Sequence, residues 1–374
     1  MRILYVTDAF ATWGGMERVL TDKMNDLVAH FDYEIHLLTI NQGSHKVPYH
    51  LLPNIRFSDL QIRMHQQYDY HGIWRIIKRN KLLKLLKSRM ETTIHEIKPD
   101  IIICVKVDFV GVLLHVKGCI PLVVESHTLC KSETIDGSGW LRRFHVHFLK
   151  RNIRKADTVI ALTKGDTEDW QKINPSTFVI PNVVHLNESG KISSCQETSV
   201  MFVGRFSSQK DIQSLLSIWN LVNKKHPNWQ LRIYGDGELK EHYMPIIQGM
   251  DANIRVFPPT PDIMEKYLDN SILLLTSLYE PFGLVLPEAM SCGLPVVAFD
   301  CPYGPADIIT DGVDGFLIKN RDIKAFADRV SQLIESHELR LRMGRAGIAS
   351  SKRYRSEIIM PQWVTLFKQI VSSQ

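Results

Sequence analysis

Short, almost wholly apolar runs alternate along this chain with longer stretches whose apolar residues recur every three or four positions. Residues 2–7, 34–39, 101–105, 122–125, 158–161 and 178–180 are rich in Ile, Val and Leu, the pattern of strands buried on both faces. Residues 17–28, 73–93, 141–154 and 165–173 carry apolar positions at helical spacing between them. Such alternation predicts a parallel, doubly wound sheet. Residues 187–199 interrupt it with Ser, Gly, Glu and Lys and read as a linker. The alternation then restarts, with strands predicted at 200–203, 230–234, 254–257, 272–276, 296–299 and 315–318. Helices are predicted at 211–225, 238–250, 262–268, 322–335, 338–353 and 357–371.

The fold class is therefore α/β, with two Rossmann-like domains at residues 1–186 and 200–355 and a last helix, within 356–374, that packs back on the first domain. Ligands of such sheets bind beyond the carboxyl ends of the strands, so the expected site is the cleft between two facing domains.

Composition narrows the class. At 44% hydrophobic and 23% charged, the chain of 374 residues is neither disordered nor fibrous. No apolar run approaches the roughly 20 residues of a membrane-spanning helix. The sequence enters its first strand pattern directly after Met1, so no secretory signal is expected and the chain reads as cytoplasmic. None of the six cysteines forms a CxxC pair, and buried free thiols are expected. Charge is uneven. Residues 1–190 hold 25 Lys and Arg against 20 Asp and Glu, whereas residues 191–374 hold 20 of each.

Four segments carry candidate chemistry. Gly14 and Gly15 open the first helix after strand one, where glycines permit close backbone approach to a ligand; a tight turn without a ligand is the other reading. Val203-Gly204-Arg205 ends a strand, with Lys210 five residues beyond Arg205. Cations there suit a diphosphate, although an isolated pair can also be solvated surface charge. Tyr234-Gly235-Asp236-Gly237 makes a glycine-bracketed turn at the next strand end, a ligand loop or a simple turn. The segment from Glu280 to Glu288, Glu-Pro-Phe-Gly-Leu-Val-Leu-Pro-Glu, puts one carboxylate in a loop and another, after Pro287, inside a helix start. Carboxylates in this arrangement can bracket a polyhydroxyl ligand while free amides hold phosphate. No carboxylate cluster with metal-ligand spacing accompanies them.

Glu280 and Glu288 form an E-x7-E motif, followed by Gly293-Leu294-Pro295-Val296-Val297. Together with Gly14-Gly15, Gly204-Arg205…Lys210, Ser126-His127 and Pro181-Asn182, it resembles the family-four retaining GT-B glycosyltransferases along the whole chain. The resemblance implies a GT-B fold and transfer of a hexose or N-acetylhexosamine from a nucleotide-diphosphate sugar, a UDP-sugar, to a glycan in surface polysaccharide synthesis. It implies that His127 faces the donor sugar and that Gly14, Gly15, Gly204 and Gly235 line the donor. Arg205 and Lys210 would neutralise the leaving diphosphate. Glu280 would bind sugar hydroxyls and Glu288 the ribose. Amides around Phe282, Gly283 and Leu284 would cap the distal phosphate. No metal and no other cofactor is implied. The sequence departs from the family pattern at Val183, where Pro-Asn-Gly is common, and at Pro258-Pro259, which leaves base identity open.

The basic excess bears on the acceptor. Residues 74–89 contain Arg75, Lys78, Arg79, Lys81, Lys84, Lys87 and Arg89 and no acid. Residues 140–155 add Arg142, Arg143, Lys150, Arg151, Arg154 and Lys155 beside Trp140, Phe144 and Phe148, again without acid. Basic amphipathic helices with aromatics suit an anionic membrane surface, here the inner face of the plasma membrane, and a lipid-linked glycan acceptor. In the alternative, their apolar residues face the sheet. Two other functional readings remain: a GT-B-fold epimerase or a transferase with a soluble sugar or sugar-phosphate acceptor, and a nucleic-acid-binding protein. The latter leaves the E-x7-E segment unexplained and lacks a recognised motif, so nucleic acid is not an expected partner.

Overall fold

A computed structural model describes residues 1–134 and 140–372. The chain forms two compact units: Met1–Val183 with Ser356–Gln374, and Val184–Arg355.

The first unit holds seven strands: β1 (Arg2–Thr7), β2 (Glu34–Thr39), β3 (Arg56–Asp59), β4 (Ile101–Cys104), β5 (Leu122–Glu125), β6 (Thr158–Ala161) and β7 (Thr177–Val179). All pair in parallel, in the order β3-β2-β1-β4-β5-β6-β7. Its helices are α1 (Gly15–Phe31), α2 (Gly72–Ile97), α3 (Val110–Val116), α4 (Cys130–Thr134), α5 (Trp140–Ile153) and α6 (Lys164–Gln171). The period of two along β1 divides its side chains between two cores. Leu4 and Val6 pack with α2, α3 and α5, while Ile3 and Tyr5 face α1. Such double coverage is why these strands read as unbroken apolar runs.

α2 is only half a core helix. Leu82, Leu86, Met90 and Ile94, spaced by four, form its buried seam. Its first turns stand clear of the sheet, leaving Ile73 68%, Trp74 66% and Ile76 59% exposed. The sheet-facing alternative for these apolar residues is therefore wrong in the first turns of the helix. The segment expected to be helical from 141 begins in α5 at Trp140; the side chains of Trp140 and Leu141 lie outside the described residues.

The second unit has six parallel strands: β8 (Ser199–Val203), β9 (Gln230–Tyr234), β10 (Ile254–Phe257), β11 (Ile272–Leu275), β12 (Val296–Asp300) and β13 (Gly315–Lys319). Their order is β10-β9-β8-β11-β12-β13, so the direction of winding reverses between β8 and β11. Helices α7 (Ile212–Lys225), α8 (Lys240–Gly249), α9 (Ile263–Leu268), α10 (Val285–Ser291), α11 (Gly304–Ile308), α12 (Ile323–Glu335) and α13 (His337–Ser351) complete it.

The stretch expected as a linker is built into this unit. Ser193 donates its amide to Cys292 O at 2.8 Å and its hydroxyl to Asn270 O at 2.6 Å. Cys195 is fully buried, and its carbonyl accepts from the Arg340 guanidinium at 2.9 and 3.1 Å. Hydrogen bonds rather than an apolar period fasten it, so its polar composition misleads. α14 (Ser356–Ser372) returns to the first unit, where Ile359, Met360, Trp363, Leu366 and Phe367 join the core of α1. The cysteines form no disulfide and are buried, except that Cys119 is exposed, contrary to expectation.

Candidate active site

The reversal of strand order in an open parallel sheet leaves a crevice at the carboxyl ends of its two central strands. In the second unit those strands are β8 and β11, and the sequence puts Lys210 after one and Glu280 after the other. The two side chains meet in an ion pair, 14% and 6% exposed respectively. Ser277 Oγ donates to the same Glu280 oxygen at 2.8 Å. The Glu280 backbone is pinned as well: its amide donates to Pro302 O at 2.7 Å, and its carbonyl accepts from Tyr303 and Gly304 amides, each at 2.9 Å. Arg205 is exposed at the end of β8, and no hydrogen bond or ion pair engages its side chain among the described residues.

Glycines bring the loops together. A Cβ on Gly235 would lie 1.9 Å from Gly204 O, and one on Gly237 2.7 Å from Phe206 O. Gly204 donates its amide to Tyr234 O at 3.1 Å and Phe206 to Asp236 O at 2.8 Å. Gly235 thus has a packing role, the contact of one loop backbone with another, which the sequence alone did not reveal. Gly283 takes φ +96°, a conformation that L side chains rarely adopt. Among the described residues the amides of Phe282, Gly283 and Leu284 have no hydrogen-bond acceptor, and they immediately precede α10. Phe282 is buried edge-on against Tyr354, centroids 5.2 Å apart. Glu288, on α10, is also buried and accepts from Tyr267 Oη at 3.0 Å. Glu280 and Glu288 are therefore both enclosed, one held by a lysine and the other by a tyrosine.

Two positioning residues carry no sequence signal. Arg321, in the left-handed region at φ 70°, reaches three elements. Its guanidinium pairs with Asp211 and donates to Thr276 O at 3.0 Å and Ser277 O at 2.9 Å, and it lies 4.3 Å from the Phe299 ring centroid. Asp211 in turn caps α7 through the Ser214 amide at 3.2 Å. Thr276 Oγ1 donates to Lys210 O at 2.9 Å. The backbone bearing Lys210 and the backbone approaching Glu280 are thus tied to one guanidinium.

The first unit carries the other sequence-derived candidates at its own carboxyl edge. Gly14 caps α1 with extended backbone, and Gly15 is the first helical residue. Gly14 O accepts from Tyr49 Oη at 3.3 Å, and Trp13, 77% exposed, stands edge-on to the Tyr49 ring at 5.1 Å. His127 follows β5 by two residues, and its Nε2 lies 3.0 Å from Glu125 Oε1.

Two doubly wound units, with cations, a carboxylate and unbonded amides at a strand-order switch, define a GT-B glycosyltransferase. Residues 13–188 match the model described as Glycosyltransferase Family 4, and residues 191–350 that described as Glycosyl transferases group 1. The chain belongs to the family-four GT-B glycosyltransferases. The amylovoran biosynthesis glycosyltransferase AmsD of Erwinia amylovora is 26% identical over 97% of this chain and 98% of its own. The lipopolysaccharide 1,6-galactosyltransferase of Escherichia coli K12 is 26% identical over 89% of each chain. A mutant of S. aureus TarM, solved with fondaparinux, alpha-GlcNAc-glycerol and UDP, superposes with a TM-score of 0.80 at 18% identity, over 98% of this chain and 99% of its own.

Proposed function

We propose that the enzyme transfers a hexose or N-acetylhexosamine from a UDP-sugar to a growing lipid-linked surface glycan, with retention of anomeric configuration and without a metal. The observation that carries this reading is the gathering at the β8–β11 switch of Lys210, unpaired Arg205 and the unbonded amides of Phe282, Gly283 and Leu284. Cations and oriented amides stabilise negative charge as it develops on a departing diphosphate. Glu280, already fixed by Lys210 and Ser277, would accept from sugar hydroxyls, and Glu288 from the ribose. The acceptor hydroxyl would attack on the face the diphosphate leaves, passing its proton to a leaving phosphate oxygen. The UDP in the TarM complex and the polysaccharide assignments of AmsD and the galactosyltransferase support the donor and acceptor classes.

The test is a thermal-shift screen against nucleotide diphosphates, followed by transfer from UDP-sugars to lipid-linked glycan extracts. The product anomer is then read by NMR. UDP stabilisation, an α-linked product from an α-linked donor, and activity intact in EDTA are expected. Activity abolished by EDTA and rescued by Mg²⁺, or an inverted product, would overturn the mechanism.

We further infer that the first unit docks on an anionic membrane. Helical spacing sets Ile73, Ile77, Lys84 and Lys87 on one side of α2, roughly opposite the buried Leu82 and Leu86. Exposed Phe144 and Phe148 on α5 sit among further cations, and α5 packs the same core as α2. No helix among the described residues is long and apolar enough to cross a membrane. Cations near such a surface contribute about 1 kcal/mol each, and an apolar wedge adds burial. The protein should sediment with anionic vesicles at low salt and not with neutral ones. Replacing Lys81, Lys84 and Lys87 by Glu should abolish this, and Trp74→Ala should weaken it. Equal partition onto neutral vesicles would refute the electrostatic reading.

A further inference from the structure

The transfer described above gives no task to a charged group enclosed in the first unit. Lys23, in the middle of α1, and Glu125, the last residue of β5, form an ion pair whose side chains are each 2% exposed. The Lys23 ammonium sits 3.9 Å from the Trp363 ring centroid on α14 and 5.2 Å from that of Tyr5 on β1. Lys23 takes one carboxylate oxygen, Oε2; the other, Oε1, faces His127 Nε2 at 3.0 Å. Three side chains from α1, β5 and the segment after β5 thus form one chain of contacts, roofed by α14.

We propose that Lys23 and Glu125 are positioning residues that fix the proton of His127 on Nε2 and leave Nδ1 as the hydrogen-bond acceptor of the ring. A buried ion pair is poor evidence of stabilisation, since well-packed apolar residues commonly replace one without loss. What this pair does achieve is to keep a carboxylate charged where it would otherwise not be. Burial alone would push the Glu125 carboxyl up; the Lys23 ammonium and the hydrogen bond with His127 reverse this and hold it at about 2. An ionised carboxylate can only accept, so the hydrogen between Glu125 and His127 must reside on Nε2. A neutral ring protonated there carries its lone pair on Nδ1, and no hydrogen bond engages Nδ1 among the described residues. The nearby Tyr5 hydroxyl is kept protonated by burial and by the Glu125 charge, so it adds no competing anion. α14 contributes the Trp363 ring to the Lys23 environment, which stabilises the ammonium without offering it a second acceptor.

The proposal rests on the reading of His127 given above only where turnover is measured; the ring's tautomer is a separate observable. The experiment is long-range ¹H–¹⁵N correlation of His127 in the full-length, ¹⁵N-histidine-labelled protein at neutral pH, with hydrolysis of UDP-glucose and UDP-N-acetylglucosamine measured in parallel. The wild type should give the Nε2–H signature. Lys23→Met, which removes the charge and keeps the length, should leave Glu125 to take up a proton and convert His127 to a mixture of tautomers. Turnover should fall roughly tenfold or more, the scale on which an outer partner of a working histidine acts. UDP binding should be unchanged. Lys23→Arg should recover much of both signals. If Lys23→Met does not fold, Glu125→Gln, which keeps the shape, replaces it with the same expectation. A wild-type Nδ1–H signature, or a folded charge-removing variant with an unaltered tautomer, overturns the proposal. A changed tautomer with unaltered turnover sustains the positioning role and instead removes His127 from the transfer mechanism.

Discussion

Lys210→Met tests whether the pair at the β8–β11 switch is both a fold element and a phosphate site. The substitution strands Glu280, whose side chain is 6% exposed, with Ser277 Oγ at 2.8 Å as its remaining side-chain donor. Removing one partner of a buried pair costs about 3–5 kcal/mol, and the surviving Ser277 bond argues for the lower end, about 3 kcal/mol. In a unit of this size each kcal/mol is worth about 2–4 °C, so the melting transition should fall by roughly 6–12 °C. Adding Glu280→Gln removes the stranded charge and should recover most of that loss. It should not recover UDP affinity, because the cation is still missing. Circular dichroism melts and UDP calorimetry on the wild type, both single variants and the double variant close the cycle. If Lys210→Met melts within about 1 °C of wild type, less than one net hydrogen bond, the pair carries no structural weight and the argument fails. If the double variant binds UDP like wild type, Lys210 is not at the phosphate.

Arg205→Ala separates the two roles from the other side: with no partner to strand, it should leave the melt unchanged and weaken UDP binding by about ten- to hundredfold, as calorimetry would show. Gly235→Ala puts a methyl 1.9 Å from a backbone oxygen, so it should destabilise the second unit by about 2 kcal/mol or more in urea titration; an unchanged midpoint would refute the loop packing. Acid should act through Glu125, whose folded-state value of about 2 lies below the unfolded value of about 4.3. Its contribution is present above about pH 4.3 and lost as pH falls towards 2, and Glu125→Gln should flatten that limb of the stability curve. Asp166, pushed up to about 6 chiefly by burial, acts in the opposite sense, adding stability to the first unit as pH falls from 6 towards 4.

Much of the fold could be read from the sequence because its central strands are buried on both faces, so that apolar runs such as 2–7 and 272–275 mark them without ambiguity. β3 escaped notice because it is an edge strand: Arg56, Phe57 and Ser58 are exposed and alternate in nothing. α3 has only seven residues, too short for a helical period to register. At the site, Lys210, Glu280 and Glu288 were legible because charge next to strand and helix ends is unusual locally. Arg321 was not, because its value lies in contacts with Asp211, Thr276 and Ser277, far away in the chain. Lys23 was hidden for the same reason, as a cation at a buried helical position whose counter-charge lies 102 residues on. Gly235 was noticed as a glycine-rich turn, but the reason for the glycine is a backbone that only the folded sheet brings near.

The return of α14 to the first unit has a consequence for biosynthesis. Because Ser356–Gln374 belongs with Met1–Val183, the second unit is an insertion, contiguous in the chain, whereas the first is made of two separated pieces. A ribosome delivers the whole of Val184–Arg355 before it delivers Ile359, Met360, Trp363, Leu366 and Phe367, five side chains of the core around α1. The nascent first unit therefore waits with one apolar flank open, and with Lys23 lacking its aromatic cover, until α14 has emerged. The second unit is under no such delay. The order of emergence thus has the second unit folding first and the unit bearing His127 completing last, and it makes α14 the step on which a stalled chain would aggregate.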